Sequence, residues 1–254
     1  SNDSRTLFYT VLDDNHRPCA VRRHVLGTSA DDDVEIYREP DPGFFVSISK
    51  TESRRFMMIS AHDHQTSEVW VLDTYDPAGD WQLISARDPG HEYDVTDWNG
   101  AFLIRTNGDG AEDFKVVAAP YDVPSRENWT DLVAHEAGRL ILGVQAFGSY
   151  WVRMERVDAL PSLVITGLDG NIHAVAFDED AYALGMGGSY EFETTSLRFS
   201  YSSMTTPEQT FDYDMATRVR TLLKEQEVPS GHKAENYVTR RIQVSAPDGE
   251  TVPV

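Results

Sequence analysis

The sequence predicts an all-β fold of repeated four-stranded antiparallel sheets, and three observations predict it. First, residues 197–224 (LRFSYSSMTTPEQTFDYDMATRVRTLLK) hold three short runs of alternating apolar and polar side chains, joined by turn-rich segments. Alternation with period two marks a half-buried strand, and connections this short leave no room for a crossover helix. Second, candidate second strands begin at residues 56, 101, 150 and 197, about 45, 49 and 47 apart. Third, candidate third strands begin at 69, 114, 163 and 209, about 45, 49 and 46 apart. Two sets of strands keeping one spacing make a repeat of roughly 40–50 residues with four strands per unit, the signature of propeller blades.

The elements follow in order. Residues 7–12 (LFYTVL), 20–26 and 34–37 read as strands, separated by the Asp13-Asp14-Asn15 turn and a polar loop over 27–33. No inner strand precedes them, so the chain is expected to begin inside a blade. The first full unit runs through 44–48, 56–60, 67–73 and 81–86. The second runs through 92–98, 101–106, 114–118 and 129–133. Asn99-Gly100 sits between its first two strands, and Asn-Gly between apolar runs is the strongest short hairpin signal. The third runs through 140–147, 150–156, 163–168 and 172–176, with turns at Gly148-Ser149 and Asp169-Gly170. The fourth joins 182–186 to the stretch 197–224. Residues 217–228 hint at a helix but read better as a strand with a polar exit. The tail holds a Pro/Gly turn at 229–231 and an alternating run at 237–244. This gives about four to five blades, a partial propeller over 1–247, with 248–254 left over.

Composition narrows the partners. The 254 residues are 40% hydrophobic, ample for a sizeable core, and carry a formal net charge of −20. Such a chain repels nucleic acid and anionic membrane surfaces and favours cationic ligands such as basic peptides, although an acidic surface also serves plain solubility. The one cysteine, Cys19, rules out an intramolecular disulfide and suits a reducing, cytoplasmic compartment. No apolar run approaches the roughly 18 residues of a membrane span, and the N-terminus lacks a signal-peptide layout.

Candidate chemical residues are few. A hydrolase nucleophile elbow needs Gly two before and two after its Ser, and no serine has both. The nearest decoy is Ser189, preceded by Gly187-Gly188 but followed by Glu191 where the second glycine belongs; residues 185–189 read as a blade turn. His62 and His64 flank Asp63 and could share one face of a strand, but a polar turn is the simpler reading. Asn107–Asp113 (NGDGAED) lacks the ligand ladder of a calcium loop and reads as an Asx-rich turn. Asp31-Asp32-Asp33 reads as a solvated loop, Cys19 as a small half-buried thiol, and Asn128-Trp129-Thr130 as a sequon without a secretory context. No catalytic, cofactor-binding or metal-ligating residue is assigned.

A series of short motifs carries a resemblance. They are Arg17-Pro18, His24 with Leu26-Gly27-Thr28, Lys50-Thr51 with Ser53, Ser67-Glu68-Val69 and Arg105-Thr106-Asn107. The densest are Leu197-Arg198-Phe199, Tyr201-Ser202-Ser203, Thr205-Thr206-Pro207, Asp212-Tyr213-Asp214, Lys224 to Val228, and Asp248-Gly249 with Val252-Pro253-Val254. Together they resemble the β-propeller domain of oligopeptidase B (protease II), in the prolyl oligopeptidase family of serine peptidases. The resemblance implies a seven-bladed parent propeller that caps an α/β-hydrolase domain carrying Ser, Asp and His, and cleavage of short peptides after Arg or Lys. It implies that residues 248–254 begin the linker into that hydrolase domain, that the first blades lie outside this chain, and that the chain alone is inactive.

Two functions are therefore expected as alternatives: the non-catalytic, substrate-gating part of such a peptidase, or a stand-alone propeller that serves as a protein-binding platform. A partial propeller leaves apolar flanks open, so edge-to-edge self-association is a further expectation.

Overall fold

The computed structural model describes residues 1–188 and 191–254. Two compact units, Ser1–His135 and Glu136–Val254, divide the chain. In the first unit β1 (Thr6–Leu12), β2 (Pro18–Val25) and β3 (Val34–Arg38) form a three-stranded antiparallel sheet. β4 (Phe45–Lys50), β5 (Phe56–His62), β6 (Ser67–Asp73) and β7 (Gln82–Ser85) form a four-stranded meander. β8 (Tyr93–Trp98), β9 (Ala101–Thr106), β10 (Lys115–Pro120) and β11 (Thr130–Val133) form a second.

The second unit repeats the plan. β12 (Arg139–Ala146), β13 (Tyr150–Val157), β14 (Leu160–Gly167) and β15 (Ile172–Ala174) make one four-stranded sheet. β16 (Ala183–Met186), β17 (Ser196–Ser202), β18 (Gln209–Asp214) and β19 (Arg220–Glu225) make another. β20 (Gln243–Ser245) and β21 (Thr251–Pro253) pair as a separate hairpin. Among the described residues the only helical pieces are three single 3-10 turns. The all-β expectation holds, and every pairing is antiparallel between neighbours in sequence.

Position in the sheet decides how each strand reads. β17 lies between two partners and alternates cleanly: Leu197, Phe199 and Tyr201 are buried while Arg198 points out. β9 is covered on both faces, so Phe102, Leu103 and Ile104 are buried in succession. β19 is an outer strand, and all six of its residues are exposed. The inner faces pack into two main cores, one per unit. Phe56, Val69, Ile84, Val95, Phe102, Ile104 and Val117 pack between the two meanders of the first. Val152, Leu163, Ile165, Leu197, Phe199 and Phe211 do the same in the second. Burying each such side chain contributes about 1.5–3 kcal/mol relative to leaving it in water.

Turn chemistry sets the registers. Trp98 pairs with Ala101 across Asn99 (φ 48°) and Gly100 (φ 87°), the two left-handed residues of a type I′ hairpin. Val157 pairs with Leu160 across Asp158 (φ 50°) and Ala159 (φ 63°), the same geometry without a glycine.

Three local expectations change. Phe114 was expected to start a strand, but its φ of 64° takes it out of the extended region, and β10 begins one residue later. Arg218, also at φ 64°, likewise delays β19 to Arg220. The alternating run 237–244 forms a strand only at its last residues, because the earlier ones bond through side chains to turns of the unit rather than to a neighbouring strand.

Candidate functional site

Each unit carries a cleft between its two four-stranded sheets that charged and polar side chains line in part, and these two clefts are candidate sites. In the first unit the cleft measures about 430 Å³. β4 and β5 supply Ser47, Ser60 and His62, β6 supplies Ser67 and Glu68, and the start of β8 supplies Glu92, Tyr93 and Asp94. Arg105 enters from β9 directly opposite Asp94, and its Nε donates to Asp94 Oδ2 at 2.7 Å. The Arg105 guanidinium also lies over the Phe114 ring, 4.0 Å from its centroid. Of the three carboxylates that line the cleft, Asp94 is paired with Arg105 and Glu68 lies 3.5 Å from Arg87, so Glu92 adds the excess negative charge.

An ion cluster fixes the neighbouring wall. Arg87 donates to both carboxylate oxygens of Glu39, at 3.0 and 2.6 Å, and to the Tyr37 hydroxyl at 3.0 Å. It also approaches Glu68 at 3.5 Å and stacks on Phe44 at 3.8 Å. Burial acts to raise the Glu39 carboxyl, but the Arg87 and Tyr37 bonds outweigh it and hold the group below its ordinary value. Burial and the Glu39 charge push the Tyr37 hydroxyl up.

A second acidic pair sits where β4 and β8 end. The Thr96 hydroxyl donates to Glu52, and Asp97 accepts from Ser53 at 2.7 Å and from Tyr121 at 3.2 Å. Desolvation raises the Glu52 carboxyl, and the nearby Asp97 charge adds to the rise. At the opposite end of β8, His91 is buried, with Nε2 bonded to Thr106 Oγ1 at 2.8 Å and the ring stacked on Tyr93. Burial first, and then the Arg126 charge, lower its pKa.

In the second unit the cleft measures about 280 Å³, lined by Gln145, Phe147, Gly187, Gly188, Glu191, Thr194, Ser196, Arg198 and Asp212. Arg198 and Asp212 face each other across β17 and β18 and close a bidentate pair at 2.8 and 2.8 Å. Gln145 Nε2 donates to the Gly187 carbonyl at 3.3 Å.

The residues singled out from sequence fall as follows. Ser189 lies outside the described residues; Gly187 and Gly188 before it follow the end of β16. The His62 and His64 rings both lie against Phe45, with centroids 5.8 and 6.3 Å away. Among the described residues no group of three or more His, Cys, Asp and Glu side chains could hold a metal ion. In the loop 107–113, Asp109 is held by Arg126 at 2.9 Å and Lys115 at 3.4 Å, which fits a turn. Asp33 departs from the solvated reading of 31–33: its carboxylate is buried and takes bonds from the Tyr9 hydroxyl at 2.7 Å and His24 Nδ1 at 2.6 Å. Cys19 lies 4.0 Å from an Arg38 nitrogen. Asn128 closes a 3-10 turn and bonds Ser125.

Sequence reading missed the Arg87–Glu39 cluster and the Glu52–Asp97 pair. Their members lie 44 to 48 residues apart, one blade repeat, so they belong to neighbouring sheets and carry no local signal.

The comparisons with known proteins agree with this architecture. The sequence profile described as "Prolyl oligopeptidase, N-terminal beta-propeller domain" matches residues 1–226. Dipeptidyl aminopeptidase BI of Pseudoxanthomonas mexicana is 39% identical over all of this chain and 35% of its own length. Protease 2 of Moraxella lacunata is 28% identical over 98% of the chain and 35% of its own length. The structure of oligopeptidase B from Leishmania major superposes with a TM-score of 0.85 at 27% identity, over 98% of this chain and 36% of that one. Oligopeptidase B from Trypanosoma brucei, with covalently bound antipain, gives 0.86 at 28%, over 98% and 37%. This chain thus spans about a third of the length of these relatives. With the matched profile covering most of it, the chain belongs to the prolyl oligopeptidase family and corresponds to its N-terminal β-propeller domain.

Proposed function

We propose that this chain is the substrate-gating, non-catalytic part of a serine oligopeptidase resembling oligopeptidase B, whose whole protein hydrolyses short peptides after Arg or Lys. Residues 1–247 are propeller, and 248–254 begin the connection into an α/β-hydrolase domain, which is the chain's principal partner. The observation that supports this reading best is the match of nearly the whole chain to two oligopeptidase B structures. The excess of carboxylates in the first unit's cleft and the net charge of −20 fit it, because a negative surface attracts basic peptides and repels acidic ones. The test is binding of a short Arg-containing peptide and of its citrulline counterpart to this chain. The reading expects the arginyl peptide to bind more tightly, with a preference that fades as salt rises. Equal binding at low salt contradicts it.

The 39% identity to a dipeptidyl aminopeptidase favours a second reading, in which the whole protein removes dipeptides from a free N-terminus. Acetylating the substrate's N-terminus separates the two: an oligopeptidase still cleaves, an aminopeptidase does not. Edge-to-edge self-association is a further proposal. It is supported by the exposure of Leu222 and Leu223 on the outer strand β19, and sedimentation at high concentration tests it.

A further inference from the structure

After β19 the chain turns back over its own unit, held by side chains. His232 Nε2 donates to the Thr205 carbonyl at 2.7 Å, and the ring stacks on Tyr237. The Thr239 hydroxyl lies 3.4 Å from Glu179 Oε2 and 3.2 Å from Thr205 Oγ1. Glu179 is the hub: its carboxylate also accepts from Tyr201 at 2.9 Å, Thr205 at 3.1 Å and Thr206 at 2.5 Å. Arg241 reaches the β13–β14 turn, where one guanidinium nitrogen lies 2.9 Å from Asp158 Oδ2 and another bonds the Asp158 carbonyl.

Residues 228–241 thus cross the turns of both the β13–β14 and β17–β18 hairpins. Their only backbone bonds among the described residues are local turns, such as Gly231 N to Val228 O and Tyr237 N to Ala234 O. A segment tied by a few part-exposed side-chain bonds, with no ladder to a sheet, opens at far lower cost than the core it lies on.

We infer that residues 228–241 form a strap with two positions, fastened across these two hairpin turns or released from them. Arg241–Asp158 and Thr239–Glu179 set the balance. Fastened, the strap fixes where the β20–β21 hairpin leaves the unit; released, it frees that hairpin while the sheets stay folded. The inference concerns this chain's own motion and stands whether or not the peptidase reading holds.

Limited trypsin digestion of the chain tests it, because Lys233 and Arg240 lie in the strap. Asp158→Asn keeps a residue that tolerates the left-handed turn, and Thr239→Val keeps the shape of the side chain. Each variant is expected to speed cleavage at Lys233 and Arg240 about 3-fold, and the two together about 10-fold, with an unchanged thermal midpoint. Added salt speeds cleavage of the unaltered chain and leaves Asp158→Asn unaffected. Unchanged cleavage in the double variant overturns the inference. So does faster cleavage at all sites with a lowered midpoint, since the strap would then be no independent unit.

Discussion

Arg87 holds both carboxylate oxygens of Glu39 from 48 residues away, at 3.0 and 2.6 Å, and by this one contact ties the exit of β7 to the exit of β3. The Glu39 side chain is only 2% exposed, so the carboxylate depends on its partner for compensation. Arg87→Ala is expected to destabilise the chain by about 3 kcal/mol, measured by urea denaturation. Removing both charges with a volume-matched Met/Leu pair is expected to cost less than Arg87→Ala alone. A larger loss in the double variant contradicts the view that the unpaired charge, not the lost contact, is what hurts.

Glu52, half-buried, and His91, buried, work in opposite directions. Glu52 is raised in the folded state, so folding binds extra protons and stability falls as pH rises above its ordinary value of 4.5. Glu52→Gln keeps an acceptor for Thr96 and is expected to be more stable than the parent at pH 8, with the difference closing by pH 4. His91 is lowered, so the unfolded chain binds the extra proton and stability falls as pH drops below about 6.5. His91→Gln is expected to flatten the stability slope between pH 6.5 and 5. Denaturation curves across pH check both, and a parent-like slope in either variant contradicts the assignment.

Ala159 occupies a left-handed position, φ 63°, that favours glycine. Ala159→Gly is expected to raise stability by about 1 kcal/mol in thermal denaturation, because it relieves strain at an exposed alanine. A loss of stability would mean that the alanine methyl packs.

Phe199 is fully buried between the two sheets of the second unit and stacks on Phe211 at 5.5 Å. Phe199→Ala is expected to cost about 4 kcal/mol. A loss below about 1 kcal/mol, read from denaturant midpoints, would place that core elsewhere.

Much of this architecture was legible in the sequence because its signals are local. β17 and β18 show their alternation residue by residue, and Asn99-Gly100 announces its hairpin. Once register is set by such turns, pairs like Arg198–Asp212 and Asp94–Arg105 follow, since the residues stand directly opposite. Strand ends were less legible where a non-glycine residue adopts positive φ, as at Phe114 and Arg218, because neither type advertises that conformation. The polar clusters were illegible. Arg87, Glu39 and Glu68 meet only because successive sheets stack, and a repeat of pattern rather than of residues does not say which charge meets which. The tail misled for a related reason: Tyr237 to Arg241 alternate like a strand, yet their partners are turns of the same unit.

The account centres on a propeller that guides peptides and leaves bond cleavage to another domain. Its most direct test is incubation of this chain with an arginyl chromogenic oligopeptide, alone and within the longer protein. The account predicts no turnover by the chain alone and turnover by the longer protein. Robust hydrolysis by the chain alone, abolished by replacing one of its own serines, would contradict it.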